Sequence, residues 1–287
     1  MEPSSQIAVI IPAAGSSRRF QGAADAPLRP KKSKIEIVLA GRPMFLRSVE
    51  LFIKRPSVIQ IILAVDPDSI DEFCFKHGDK LGFHGVDIVA GGRAGRWETV
   101  LQAIKSVQSD CSHIAVHDAA RPLTCARLID ELFEASRRFA AVVPGLPINA
   151  TVKKVADDAA NGSGDSDPLD TILGPAPEGK SVIRHVVETV NRDDLVEVQT
   201  PQIFEVDLLR RAYAQVADGK VNADSITDDA GLVELLGEPV HVVEGHTANF
   251  KITRPQDLQL AEAVAVSAEQ KKVDNLGAKR LFANDDD

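Results

Sequence analysis

The sequence predicts an α/β fold: a mostly parallel sheet flanked by helices. Three observations carry that expectation. Short β-branched apolar runs alternate with stretches of helical periodicity along the first half of the chain. Strands alternating with helices imply right-handed crossovers and parallel pairing. The chemistry-bearing stretches also fall just after the strands, at Ala13-Ala14-Gly15, Gly91-Gly92 and His117-Asp118, where such sheets bind ligands.

The first run, Ile7-Ala-Val-Ile-Ile11, reads as a strand buried on both faces. It breaks at Pro12-Ala13-Ala14-Gly15, where small residues admit a ligand to the backbone and Gly15 is able to take dihedrals other residues avoid. Arg18 and Arg19 follow at once. A glycine turn after a strand, with bare amides and two cations, suits a polyphosphate. The stretch has neither the G-x-x-x-x-G-K-[ST] of a P-loop nor the G-x-G-x-x-G of a dinucleotide site.

Residues 21–33 are polar, hold Pro27 and Pro30, and lead into the basic group Lys31-Lys32-Ser33-Lys34. They read as a mobile loop, either a lid over a charged ligand or a solvated basic loop. Helical spacing over 44–55 is followed by a strand at Val58–Val65, a helix over Pro67–Lys76 and a strand at Val86–Val89. Gly91-Gly92 makes a turn, a helix runs from about Trp97 to Val107, and His113–Val116 is a strand. Thr124 caps a helix reaching about Arg138, and Ala140–Val143 is the next strand.

The pattern then changes. Strands are expected at Thr151–Val155, Val182–Val187 and Val196–Val198, around an insertion over about 157–180 rich in Asp, Gly, Ser, Pro and Ala. Together, residues 149–198 read as an arm projecting from the main sheet. Phe204–Val216 reads as a helix, Ser225–Asp229 opens another, and Val240–Glu244 and Asn249–Ile252 read as strands. Thr253, with Gln256 three residues on, forms a capping box for a last helix from about Pro255. One domain over 1–273 is expected, with an acidic, disordered tail at 274–287.

Bulk properties narrow the function classes. The formal net charge of -9 over 287 residues argues against general nucleic-acid binding and leaves room for a local basic pocket. The three cysteines show no C-x-x-C spacing, and reduced thiols in a cytoplasmic protein are expected. No apolar run reaches membrane-spanning length, and the residues before the first strand are too few for a signal or transit peptide. No activated serine or cysteine with a histidine and an orienting acid is visible, and no dense spacing of transition-metal ligands. The kit is cations, amides and one well-placed aspartate. Asp118 is suited to holding magnesium or accepting from a substrate hydroxyl. Arg121 is suited to a phosphate or to pairing with Asp118, and His117 to a base, a ligand or a structural role. Thr99 is suited to a nucleobase or to local backbone. Such a kit fits phosphoryl or nucleotidyl transfer, where positioning and charge neutralisation supply most of the catalysis.

The motifs Pro12-Ala-Ala-Gly-Ser-Ser-Arg-Arg19, Gly91-Gly92, His117-Asp-Ala-Ala-Arg-Pro122, Gln199-Thr-Pro-Gln202, Ile226-Thr-Asp-Asp229 and Asn249-Phe-Lys-Ile-Thr-Arg-Pro255 together resemble the 2-C-methyl-D-erythritol 4-phosphate cytidylyltransferases. The resemblance spans about residues 7–265, and ribitol-5-phosphate cytidylyltransferases share the group. It implies a Rossmann-like sheet of the nucleotide-diphospho-sugar transferase type. It implies cytidylyl transfer from CTP to 2-C-methyl-D-erythritol 4-phosphate with release of pyrophosphate, in non-mevalonate isoprenoid synthesis. It also implies magnesium and a homodimer joined through the arm. By resemblance, Ala13, Ala14 and Gly15 hold CTP, and Arg19 and Lys34 stabilise the transition state. Lys34 is placed by counting back from Gly41-Arg42-Pro43, with Lys31 and Lys32 as alternatives. Gly91, Gly92 and Thr99 face the cytosine, and Asp118 lies near ribose, metal and substrate. Thr151 and Arg192 reach a partner subunit's substrate, and Thr200, Thr227 and Lys251, with Arg121, complete the substrate site. The chain departs from the family pattern in Ser33-Lys34-Ile35, Thr99, Ala150-Thr151, Asn191-Arg192, a longer loop from Arg19 to Lys34, an extra residue in the Gly-Gly loop and a long arm insertion. The rivals are the same chemistry on ribitol 5-phosphate and a non-catalytic nucleotide-binding regulator.

Overall fold

The structure is a computed structural model that describes residues 5–15, 33–157 and 184–281. Arg19, Lys31 and Lys32 lie outside the described residues, as does the expected insertion beyond Asp157. The strands are β1 (Ile7–Ala13), β2 (Val38–Leu39), β3 (Arg42–Pro43), β4 (Val58–Val65), β5 (Val86–Ala90), β6 (His113–Val116), β7 (Ala141–Pro147), β8 (Val152–Asp157), β9 (Arg184–Val190), β10 (Val196–Val198), β11 (Gln202–Glu205) and β12 (His241–Glu244). The α-helices are α1 (Met44–Glu50), α2 (Ile70–Phe83), α3 (Arg96–Ile104), α4 (Ala126–Ser136), α5 (Val206–Ala217), α6 (Asp229–Glu234) and α7 (Pro255–Leu281).

The chain divides into two compact units, one of residues 1–146 and 198–287, the other Pro147–Glu197. In the first unit the sheet runs β7-β11-β6-β1-β4-β5, with β12 beside β7. The β6-β1, β1-β4 and β4-β5 pairs are parallel, and β11 enters antiparallel between β6 and β7. The expected mostly parallel sheet flanked by helices is therefore present.

Strand periodicity sends alternate side chains to opposite faces. Ile7, Val9 and Ile11 of β1 and Ile61, Leu63 and Val65 of β4 pack with α1, α2 and α4. Ala8 and Ile10 of β1 and Ile62 and Ala64 of β4 pack on the other face with α3, α5 and α6. With both faces covered, the central strands read as continuous apolar runs, not alternating ones. Leu63 is fully buried at the centre of the first face. Leu63→Ala should cost about 2–5 kcal/mol of folding stability through lost transfer energy and a cavity. Denaturant melts check this, and a loss under about 1 kcal/mol would contradict the packing described.

Several elements differ from expectation for local reasons. Helix α1 ends at Glu50, and turns carry the chain on through Phe52, which is still buried. Helix α2 begins at Ile70, because the Asp68 amide donates to Asp66 Oδ1 in a turn around Pro67. It extends to Phe83 because Leu81 is buried at its far end. The expected helix start at Phe204 is instead β11: Ile203 packs on one face of the sheet and Phe204 on the other. The expected strand at Asn249–Ile252 is irregular backbone, held by side chains more than by a ladder. At the start of α7, Thr253 and Arg254 donate to Asp257 Oδ2, so Asp257 takes the capping role expected of Gln256. Helix α7 continues to Leu281, past the expected order boundary at 273, over a stretch without proline.

The second unit contains an antiparallel strand pair, β8 with β9, running from Val152 opposite Val190 to Asp157 opposite Arg184 with a register shift between Lys154 and Val155. The described part of β9 starts at Arg184, the expected start at Val182 lies outside the described residues, and Val155 of β8 and Val186 and Val187 of β9 are exposed. Beyond this pair, the Ile148 amide donates to the Leu195 carbonyl, and Arg192 Nη1 donates to the Asn149 carbonyl.

Candidate active site

A cavity of about 700 Å³ opens beyond the carboxyl ends of the parallel strands. The end of β1 supplies Ala13, Ala14 and Gly15, the turn after β4 supplies Asp66 and Asp68, and the turn after β5 supplies residues 92–95. Arg96 and Thr99 come from the first turn of α3, and Asp118 follows β6. Lys34, on a short 3₁₀ turn, and Lys251, ahead of α7, complete the lining. Among the described residues, four lining cations (Lys34, Arg93, Arg96, Lys251) face three carboxylates (Asp66, Asp68, Asp118), a locally basic balance in an acidic protein. Asp68 is further neutralised by an exposed ion pair with Arg93 at 2.5 Å.

The glycine turn is built by close approach. The Gly91 amide donates to the Val65 carbonyl at 2.7 Å, tying the end of β5 to that of β4. A Cβ on Gly91 would lie 2.8 Å from Ala14 Cβ and 2.9 Å from Thr99 Cγ2, and one on Gly92 would lie 2.4 Å from Glu98 Cβ. Thr99 Oγ1 accepts from the Gly92 amide and donates to the Gly95 carbonyl, so its hydroxyl is spent on the turn. The expected dihedral freedom of Gly15 is not used: its φ is not positive, and among the described residues nothing lies within 4 Å of its would-be Cβ.

Asp118 is the floor of the cavity. Its Oδ1 accepts from Arg96 Nε at 2.9 Å and its Oδ2 pairs with Lys251 Nζ at 2.6 Å. Burial pushes its pKa up, but Arg96 and Lys251 outweigh burial and hold it far below the usual carboxylate range. Its backbone amide donates to Thr200 Oγ1. Thr200 in turn donates to Nδ1 of His117, whose Nε2–H donates to the Arg121 carbonyl. Burial lowers the His117 pKa to about 4, which keeps the ring neutral in that pattern. His117 is therefore a structural histidine under the floor, not a base facing the cavity.

Arg121 and Thr200 belong to the hydrogen-bond network beneath Asp118. Arg121 is buried, donates to the Asn249 carbonyl and is not among the cavity's lining residues. The partners of Asp118 are Arg96 and Lys251 in its place. Asn249 also donates to the Thr200 carbonyl and accepts from Thr124. The Ile252 amide donates to the Ala120 carbonyl, and Ile252 is buried with Leu39 and Ala261. Lys251 is thus presented from a pinned loop. Thr227 is exposed and does not line the cavity. Thr151 and Arg192 belong to the second unit, and Arg19 lies outside the described residues.

Arg96 was not singled out by the sequence. It joins Asp118 to the fully buried Asp229, 2.7 Å from its Nη2, and Asp229 accepts from the buried Tyr213 hydroxyl. These partners are scattered along the chain, and no local spacing signals them. Among the described residues no group of three or more metal-ligating side chains occurs. Asp118 alone fits magnesium only as part of a metal–nucleotide complex, in which phosphates and water supply the other oxygens. The three cysteines are free thiols, and among the described residues no helix is long and apolar enough to cross a membrane.

The family model for 2-C-methyl-D-erythritol 4-phosphate cytidylyltransferase matches residues 7–177 and 170–267. The protein of that name from Frankia casuarinae is 38% identical over 262 residues, covering 91% of this chain and 82% of the relative. The one from Symbiobacterium thermophilum is 36% identical, covering 89% and 91%. The crystal structure of the Thermus thermophilus enzyme of that name superposes with a TM-score of 0.64 at 30% identity, covering 91% of this chain and 98% of that one.

Proposed function

The chain belongs to the 2-C-methyl-D-erythritol 4-phosphate cytidylyltransferase family, and from that membership we propose how its own residues divide the work of the family reaction. The reaction transfers a cytidylyl group from CTP to 2-C-methyl-D-erythritol 4-phosphate and releases pyrophosphate, in non-mevalonate isoprenoid biosynthesis. A phosphate oxygen of the acceptor forms a bond to the α-phosphorus of CTP, and the bond from that phosphorus to the β-phosphate bridging oxygen breaks. The leaving pyrophosphate is already an anion, so no side chain has to serve as nucleophile or base.

The single observation behind this division is the convergence of Ala13-Ala14-Gly15, Lys34, Thr99, Asp118 and Lys251 on one basic cavity. Amides of the β1 turn and the Gly91-Gly92 turn bind the nucleotide, with the Thr99 hydroxyl holding the second turn in shape. Lys34 and Arg19 neutralise the charge that builds on the transferring phosphorus. Lys251 meets substrate phosphate, and Asp118 orients the ribose or acceptor hydroxyls. Asp118 would be the protein carboxylate for a magnesium ion arriving with CTP, which would supply charge neutralisation at the phosphates. The second unit serves as the homodimer arm and brings Thr151 and Arg192 to a partner subunit's acceptor phosphate.

The test is pyrophosphate release from CTP and magnesium with 2-C-methyl-D-erythritol 4-phosphate, beside ribitol 5-phosphate and a control without acceptor. Release with the methylerythritol substrate alone is expected. Release only with ribitol phosphate would keep the mechanism and change the acceptor. CTP binding with silence from both acceptors would favour a nucleotide-binding regulator. Arg19→Ala is expected to lower kcat about a hundredfold or more while CTP affinity changes by less than about fivefold, because its charge is most useful in the transition state. Equal losses in the two would remove that role.

A further inference from the structure

Arg96 occupies an unfavourable place for a cation. It is the first residue of α3, where the helix dipole is positive and favours anions. Burial also opposes its charge, yet the pull of Asp229 and Asp118 leaves its pKa raised well above the ordinary value. Those carboxylates lie on different elements, Asp118 after β6 and Asp229 at the start of α6. Asp229 is fully buried and its second oxygen is held by Tyr213 of α5, itself buried. The guanidinium is thus clamped from behind and reaches forward to one oxygen of Asp118. Lys251 meets the other oxygen through a flexible side chain that is 37% exposed.

We propose that Arg96 is a positioning residue for cytidylyl transfer: backed by Asp229 and Tyr213, it fixes the Asp118 carboxylate, so that Lys251 is the partner that exchanges from Asp118 onto substrate phosphate. The inference rests on the reading that Asp118 faces substrate. A planar guanidinium spans two carboxylates with separate N–H groups, whereas a lysine ammonium is a point charge on a flexible stem. Arg96→Lys therefore keeps the charge of the cavity and loses the bridge.

Steady-state kinetics with CTP, magnesium and 2-C-methyl-D-erythritol 4-phosphate test this in wild type, Arg96→Lys, Asp118→Asn and the double variant. Arg96→Lys is expected to lower kcat about tenfold with CTP affinity within about threefold of wild type, an effect on positioning more than on binding. In the Asp118→Asn background the same change should cost less than about twofold, because residues acting as one unit do not add. Tyr213→Phe leaves every cavity residue in place and should lower kcat by about two- to fivefold, again only while Asp118 is present. If Arg96→Lys fails to fold, the Tyr213→Phe cycle decides. Multiplicative losses in these cycles, or wild-type kcat in Arg96→Lys, would overturn the positioning role and leave a structural one. Wild-type protein that releases no pyrophosphate would overturn the reaction on which the inference stands.

Discussion

Asp118→Asn is expected to lower turnover by about a hundredfold or more. Asparagine keeps the shape and still accepts a hydrogen bond. It removes the negative charge between Arg96 and Lys251, which sit 2.9 and 2.6 Å from the two carboxylate oxygens. Two facing cations then lose their common counter-ion, and truncating one partner of a buried ion pair is costly, about 3–5 kcal/mol in comparable cases. Because Lys251 is partly exposed, part of that cost is relieved by its turning to water, and the lower end applies. The catalytic loss is separate from the stability loss. On the proposed division of roles, a metal–nucleotide complex would lose its protein carboxylate, and Lys251 loses its ion-pair partner. Thermal melts and kcat at saturating substrates, both on folded protein, tell the two apart. Wild-type turnover in Asp118→Asn would remove this residue from the working site.

Gly91→Ala is expected to weaken CTP binding at least about tenfold and to cost about 1–3 kcal/mol of stability, the range for forcing an extra methyl into a packed interior. The new Cβ would meet Ala14 Cβ, Thr99 Cγ2 and, at 3.0 Å, the Val65 carbonyl oxygen. Two of those groups are short and cannot swing aside, and the third is backbone. The β1 turn and the α3 start must then separate, and these are the surfaces assigned to the nucleotide. Calorimetric titration with CTP and a denaturant melt measure the two effects. Unchanged CTP affinity would show that the nucleotide does not depend on this approach.

Much of this architecture was legible in the sequence because its signals are local. The runs at Ile7–Ile11 and Val58–Val65 are apolar at nearly every position because helices cover both faces of the sheet, and that composition names a buried parallel strand without further information. Ala13, Gly92 and Asp118 stand just after strand ends, where a ligand site in such a sheet is expected, and all three line one cavity. Where the reading failed, the deciding partner was distant. Gln202–Glu205 has helix-like surroundings and becomes a strand because β6 and β7 offer ladder partners on both sides. The packing of Arg121 was likewise not visible in its own hexapeptide, because Asn249, whose carbonyl accepts from it, lies far along the chain. Arg96 shows the converse: an ordinary residue of a glycine-rich loop becomes the link between two buried carboxylates once α5 and α6 are docked.

The wiring of Asp118 also sets an order of events during synthesis. The parallel strands β5 and β6 and the turns after them are complete once the segment through Asp118 has left the ribosome. Thr200, Asp229 and Lys251, which hold that carboxylate in register and balance its neighbours, emerge long afterwards. Domains generally assemble as whole units as the chain appears, and here the nascent half carries nucleotide-facing turns with an incomplete counter-ion set. CTP therefore has little to grip until the loop at Asn249–Ile252 is in place, and its stabilising pull through mass action reaches the finished chain, not the growing one.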